Sequence, residues 1–148
     1  MAHDAVHLYL SVGDLVQFAK TVGESDVYLF AGITGDFAPN HVNEQYMQST
    51  SFGRRIAHGA LLVGYMSACS TKMSALARSR GAENVPLSLG FDKIRFLHPV
   101  FLGDTVSCVY TITEIESQRL RAQAKITVTN QRDDLVAVAT HILKWVRP

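Results

Sequence analysis

His58-Gly59-Ala60-Leu61-Leu62-Val63-Gly64-Tyr65-Met66-Ser67-Ala68-Cys69-Ser70-Thr71-Lys72-Met73-Ser74-Ala75-Leu76-Ala77-Arg78 is the stretch whose period decides the fold. Leu61, Leu62, Tyr65, Met66, Cys69, Met73 and Leu76 recur at three- and four-residue spacing, as on a helix with one apolar stripe. Such a stripe has to be buried. Small residues (Gly59, Ala60, Gly64, Ser67, Ala68) crowd the first half and let another segment or a ligand approach the backbone. A long helix is therefore expected from near His58-Gly59 to about Arg78.

Downstream of this helix, Gly81 and Pro86 punctuate the chain and the remainder reads as strand. Leu87, Leu89 and Phe91 alternate, and Ile94 and Phe96 follow after a phase shift that suggests a bulge. Val106, Cys108, Tyr110 and Ile112 form a second alternating run, and Ala122, Ala124, Ile126 and Val128 a third. Asn130 to Asp134 is a polar turn, and Leu135 to Val146 is a last strand carrying Trp145.

Upstream, residues 5 to 19 open like a strand, with Leu8, Leu10 and Val12 alternating with His7, Tyr9 and Ser11. Ser25 is the expected N-cap of a short helix bearing Asp26 in its first turn and Val27, Leu29, Phe30 and Ile33 as its apolar face. Pro39 prevents that helix from continuing. One long helix followed by four strands, with another strand near the start, implies an α+β fold whose antiparallel sheet covers one face of the helix. The pattern leaves strand order open. No repeat or linker divides residues 1–148, which read as one domain.

Composition excludes several classes of function. The chain has 148 residues, 47% hydrophobic and 18% charged, enough to bury a core without help. A formal net charge of +1 gives no field suited to nucleic acid. Cys69 and Cys108 form no C-x-x-C pair, so neither a disulfide framework nor a zinc site is expected, and a cytoplasmic setting fits. The N-terminal residues lack the pattern of a secretory signal, and the apolar run from Ala60 to Ala68 is too short to cross a membrane.

The chemistry concentrates in Thr34-Gly35-Asp36-Phe37-Ala38-Pro39-Asn40-His41 and in His58-Gly59. On a regular helix Asp36 and His41 would stand off a common face, whereas a loop bent at Pro39 can bring them to one point. A carboxylate and an imidazole that share a water can activate it and return its proton, each role being typically worth ~10²- to 10⁴-fold in rate. Gly59, at the start of the long helix, offers an unsatisfied N–H in a favourable dipole field. Such an amide can hold a developing oxyanion, which is worth ~3–4 kcal/mol in other enzymes.

These blocks resemble the MaoC-like (R)-specific enoyl-CoA hydratases, the type 2 hydratases of hot-dog fold. The likeness runs through Phe30-Ala31-Gly32-Ile33-Thr34-Gly35-Asp36-Phe37, Pro39, His41, Phe52-Gly53-Arg54-Arg55-Ile56-Ala57-His58-Gly59, and Phe96-Leu97-His98-Pro99-Val100 with Gly103-Asp104. It implies an antiparallel sheet wrapped around a long central helix, a homodimer, and an acyl-CoA substrate. It implies Asp36 and His41 as the catalytic pair, Gly59 as the oxyanion amide, and Ser67 as a supporting serine on the central helix. The implied reaction is syn addition of water to a trans-2-enoyl-CoA, giving an (R)-3-hydroxyacyl-CoA without cofactor or metal. Asp36 is then the expected base toward water, with His41 delivering a proton to C2. One departure is Ala38 before Pro39, where the family often has asparagine.

Blander and rival readings stand beside this one. Asp36, His41 and His58 could be a metal set, although their spacing matches no known ligand pattern. His58, His98 and His141 read as structural, and Tyr65, Met66 and Met73 as core. Arg54 and Arg55 could meet CoA phosphates, but a charge pair is usually only a solvated surface. An acyl-CoA thioesterase of the same fold is the nearest rival function, and it is disfavoured because residues 59 to 76 contain no Asp or Glu. A non-catalytic acyl-binding subunit would not need both Asp36 and His41.

Overall fold

The computed structural model describes residues 8–148. Strand β1 (Leu15–Thr21) leads into helix α1 (Glu24–Thr34), then two short helices, α2 (Pro39–Val42) and α3 (Glu44–Gln48). The long helix α4 (Gly59–Ser79) precedes β2 (Val85–Phe96), β3 (Thr105–Glu116), β4 (Arg121–Thr129) and β5 (Leu135–Val146). All pairings are antiparallel, in the order β1-β3-β4-β5-β2, so the strand that leaves α4 crosses to the far edge of the sheet.

Alternation fixes which face of the sheet is covered. Val106, Cys108, Tyr110 and Ile112 of β3, Ala122, Ala124, Ile126 and Val128 of β4, and Ala137, Ala139, His141, Leu143 and Trp145 of β5 are buried on one side. Helix α4 lies on that side and packs chiefly on β1 and β3, with Met66, Cys69, Met73 and Ala77 fully buried. Each large apolar side chain so buried contributes roughly 1.5–3 kcal/mol. The expected helix from His58-Gly59 to about Arg78 is the helix observed, and the layout is the α+β arrangement read from the sequence, a hot-dog fold.

Three expectations need correction. Residues 5 to 7 of the expected opening strand lie outside the described residues, and Leu8 to Val12 form no ladder. Leu8 and Leu10 are buried, but Tyr9 (φ 58°) and Gly13 (φ 94°) turn the chain, and the Asp14 carboxylate accepts the Ser11 N–H at 2.8 Å. Pairing starts only at Leu15. The N-cap of α1 is Gly23 rather than Ser25, because Asp26 reaches back to accept the Gly23 N–H at 2.8 Å. Strand β2 carries two irregularities, Ser88/Gly90 and Asp92/Arg95, rather than one. The first inverts its phase, so Ser88 pairs with inward-facing Leu143 while Leu87 and Leu89 stay exposed.

Among the described residues no helix is long and apolar enough to cross a membrane. Cys69 and Cys108 are free and buried.

Candidate active site

Helix α1 ends at Gly35, whose φ of 83° suits a residue without Cβ and whose N–H donates to the Ala31 carbonyl at 2.8 Å. The chain leaves this cap through Asp36, exposed, with Oδ1 accepting the Ala38 N–H at 3.3 Å. Pro39 then occupies the first position of α2, where its missing N–H removes nothing. This break turns the chain so that His41, only 8% exposed, faces the same point as Asp36.

Two backbone carbonyls set the two imidazoles. His41 Nδ1–H donates to the Ile56 carbonyl at 2.8 Å, which leaves Nε2 with its lone pair in the neutral ring. Ile56 is itself fixed by its N–H to the Asn40 carbonyl at 3.1 Å and by a bridge to Phe101. His58 is 1% exposed, and its Nε2–H donates to the Asp36 carbonyl at 2.9 Å, tying the helix start to the loop. The His58 ring stacks on His41 at 3.8 Å and packs against Phe30 at 4.7 Å. Its Nδ1 is buried and, among the described residues, has no hydrogen-bond partner.

Ligand atoms of Asp36, His41 and His58 all lie within 4.8 Å of one another. With His41 Nδ1 and His58 Nε2 each given to a backbone carbonyl, each ring keeps one nitrogen for further chemistry. Burial holds the His41 pKa below the ordinary 6.5, and the neighbouring His58 adds to that. The hydrogen bond to Ile56 and the charge of Asp36 push the other way. At neutral pH His41 is therefore a free base.

Gly59 is the first residue of α4, so its N–H has no acceptor within the helix. A Cβ added there would meet the Phe96 ring at 2.7 Å, so the close approach of that ring requires glycine. His41 and Gly59 share the wall of one cavity of about 450 Å³, together with Asn40, Phe52, Phe96 and His98. The Phe96-to-Asp104 segment backs it through the Ala57 N–H to the Val100 carbonyl (2.7 Å) and the Phe101 N–H to the buried Asp104 carboxylate (2.9 Å).

The structure thus brings His41 and Gly59 to one cavity and sets Asp36, which does not line it, within 4.8 Å of His41, while Ser67 stands apart. Ser67 is exposed on α4, about 12 Å further along the axis at 1.5 Å per residue, and its carbonyl accepts the Ser70 hydroxyl at 2.7 Å. It does not line the cavity. Arg55 is not free for phosphate, because it pairs with Glu24, with Glu44 at 3.0 Å and with the Tyr28 hydroxyl at 3.0 Å. Arg54 lies over the Phe101 ring at 4.2 Å. The structural part read for His58 at the helix start is the one observed, whereas its stack on His41 and the contact of Phe96 with Gly59 were not read from the sequence. Adjacency to Gly59 was a signal for His58, whereas only the fold brings Phe96 onto the glycine.

A long helix laid on an antiparallel sheet, with a neutral imidazole and a helix-start glycine lining one cavity, defines a hot-dog domain. The family described as MaoC like domain matches residues 11–134, and the chain belongs to that family. It is 40% identical over 117 residues to the (R)-specific enoyl-CoA hydratase of Rhodospirillum rubrum, covering 79% of this chain and 76% of that protein. It is 35% identical over 118 residues to the 3-hydroxybutyryl-CoA dehydratase of Methylorubrum extorquens, covering 80% and 70%. The solved (R)-hydratase of Aeromonas caviae involved in PHA biosynthesis superposes with a TM-score of 0.81 at 27% identity, covering 94% of this chain and 98% of that one.

Proposed function

We propose that the protein is a hydro-lyase that adds water reversibly to a trans-2-enoyl-CoA, giving an (R)-3-hydroxyacyl-CoA. The observation that carries this reading is the cavity lined by both His41, whose Nδ1 is held by the Ile56 carbonyl, and Gly59 at the start of α4. The names of the relatives at 40% and 35% identity support it.

In the proposed sequence the thioester carbonyl accepts the Gly59 N–H, which draws electrons from the C2–C3 double bond. A water held by Asp36 and His41 gives one proton to His41 Nε2 as its oxygen bonds to C3. The resulting enolate is held at Gly59. His41 then returns that proton to C2, and the thioester carbonyl re-forms. One group that both takes and returns the proton on one face makes the addition syn. This assignment moves to His41 the base role expected of Asp36 and keeps His41 as the donor to C2, because His41 Nε2 carries no proton until water supplies it. Asp36 orients the water and stabilises the imidazolium through its charge. No metal or cofactor is used.

We also propose that two copies pair through β2. It is an edge strand, and Val85, Leu87, Leu89 and Phe96 stand 42–51% exposed along it, a liability that pairing removes. The free cysteines suit the reducing cytoplasm.

The test is consumption of crotonyl-CoA followed at the enoyl-thioester absorbance, with free thiol measured in parallel. Loss of the enoyl band without thiol release supports a hydratase. Thiol release would make the protein a thioesterase instead.

A further inference from the structure

His141 is fully buried in the middle of β5, and the proposed chemistry does not use it. Its Nδ1 lies 2.7 Å from the Tyr110 hydroxyl, its Nε2 lies 2.7 Å from Ser88 Oγ, and the Phe91 ring stacks on it at 4.4 Å. Tyr110 is also fully buried, and among the described residues His141 is the one hydrogen-bond partner of its hydroxyl. A buried O–H left without an acceptor costs about 1–3 kcal/mol, so Tyr110 donates to Nδ1. Nε2–H then donates to Ser88 Oγ. Ser88 is exposed, and its own proton is left to point outward.

The register shows where that hydroxyl stands. Inward-facing β5 residues Leu143, His141 and Ala137 pair with Ser88, Phe91 and Phe96 of β2, which puts those three on the inner face. Phe96 is the ring against Gly59 at the cavity. From the level of Ala137 to that of Leu143, where Ser88 pairs, is about 20 Å at ~3.3 Å per residue. A strip of sheet thus runs from the reacting centre past Phe96 and Phe91 to Ser88; Phe96 and Ser88 are exposed on it and Phe91 is half-buried, while α4 packs chiefly on β1 and β3. The strip is apolar until Ser88, and its paired β5 residues bring no Lys, Arg, Asp or Glu to that face.

We propose that Ser88, held by His141 and Tyr110, is a specificity residue that binds an uncharged oxygen carried by the acyl chain beyond its reacting carbons. The preferred substrate is then a 2-enoyl thioester bearing a distal keto or hydroxyl group, and this rests on the hydratase reading above. Ser88 presents a donor, which suits a carbonyl or hydroxyl oxygen. Burial holds His141 down at about 4, so it is neutral at pH 7 and supplies no charge for a distal carboxylate.

The experiment compares kcat/KM for matched pairs of trans-2-enoyl-CoAs, plain or carrying a distal keto or hydroxyl group, over short to medium chain lengths. The wild type should favour the oxygenated member of at least one pair by about 10-fold, the worth of one net hydrogen bond. Ser88→Ala should collapse that ratio, and Ser88→Thr, which keeps the hydroxyl, should retain it. Hydration of both members with no preference at any length, or a ratio unchanged in Ser88→Ala, would overturn the subsite while leaving the hydratase intact. No consumption of any enoyl-CoA, crotonyl-CoA included, would remove the hydratase reading and the subsite with it.

Discussion

The rings of His41 and His58 lie 3.8 Å apart and 28° from parallel, both almost completely buried. Each spends one nitrogen on a backbone carbonyl: His41 on Ile56, and His58 on Asp36. The stack has two consequences. It sets a second ring against the imidazole whose tautomer the Ile56 carbonyl fixes, and it resists the addition of positive charge there. In the proposed reaction His58 is then a positioning residue.

Replacing His58 by Phe keeps a flat ring and deletes both the donor to Asp36 and the polar neighbour of His41. The pKa of His41 is held below 6.5, so activity in the hydration direction should rise through that region and level off by neutrality. In His58→Phe the acid limb of kcat/KM should move up toward 6.5, and kcat should fall by about 10-fold. Steady-state kinetics from pH 5 to 8 check this, and an unmoved limb would show that His58 serves packing alone.

Asp36→Asn and His41→Gln should each lower kcat by at least ~10²-fold. Asp36 is exposed, so its variant should melt within a few degrees of the wild type. Thermal melts alongside the kinetics separate lost chemistry from lost structure.

Gly59→Ala drives a methyl toward Phe96, whose ring must swing away or push the helix start. Because a misplacement of about 1 Å can cost 10²-fold, kcat/KM should drop by that order. The double change Gly59→Ala with Phe96→Ala should recover much of the loss. A single variant as active as the wild type would show that the Phe96 contact does not set the position of this amide, since alanine keeps the same N–H.

The sequence was legible wherever one period ran uninterrupted. The α4 stripe and the alternations of β3, β4 and β5 were read directly, because each buries one face against a continuous partner. It failed where a local turn overrode the alternation. Leu8 and Leu10 alternate as in a strand, but they reach the core from a segment turned by Tyr9 and Gly13. In β2 the irregularity at Ser88/Gly90 exchanged the faces of Leu87 and Ser88, so a serine entered the inner face at a position read as solvent-facing. The proximity of Asp36 to His41 was foreseeable from Pro39. The stack of His41 on His58 and the contact of Phe96 with Gly59 join segments distant in the chain, which no local pattern encodes. Ser67 shares the helix with Gly59, but helical rise carries it away from the cavity.

His141 makes acid stability a separate check. Its pKa in the folded protein is about 4, against 6.5 in an unfolded chain. A depressed folded value means that the associated stability is present above about 6.5 and is lost as pH falls toward 4. The loss should reach roughly 3 kcal/mol, because a tenfold change in proton affinity is worth ~1.36 kcal/mol. Urea titrations at pH 7 and pH 4.5 should show a smaller difference for His141→Gln than for the wild type, and an equal difference would mean that His141 is not buried neutral.

The most direct measurement is the stereochemistry of water addition. Crotonyl-CoA is hydrated in D₂O, and the product is analysed for configuration at C3 and for the position of deuterium at C2. A proton shuttled by His41 on one face, with the carbonyl held at Gly59, predicts (R)-3-hydroxybutyryl-CoA with deuterium and hydroxyl added syn. An (S) product, anti addition, or unconsumed crotonyl-CoA would contradict the account.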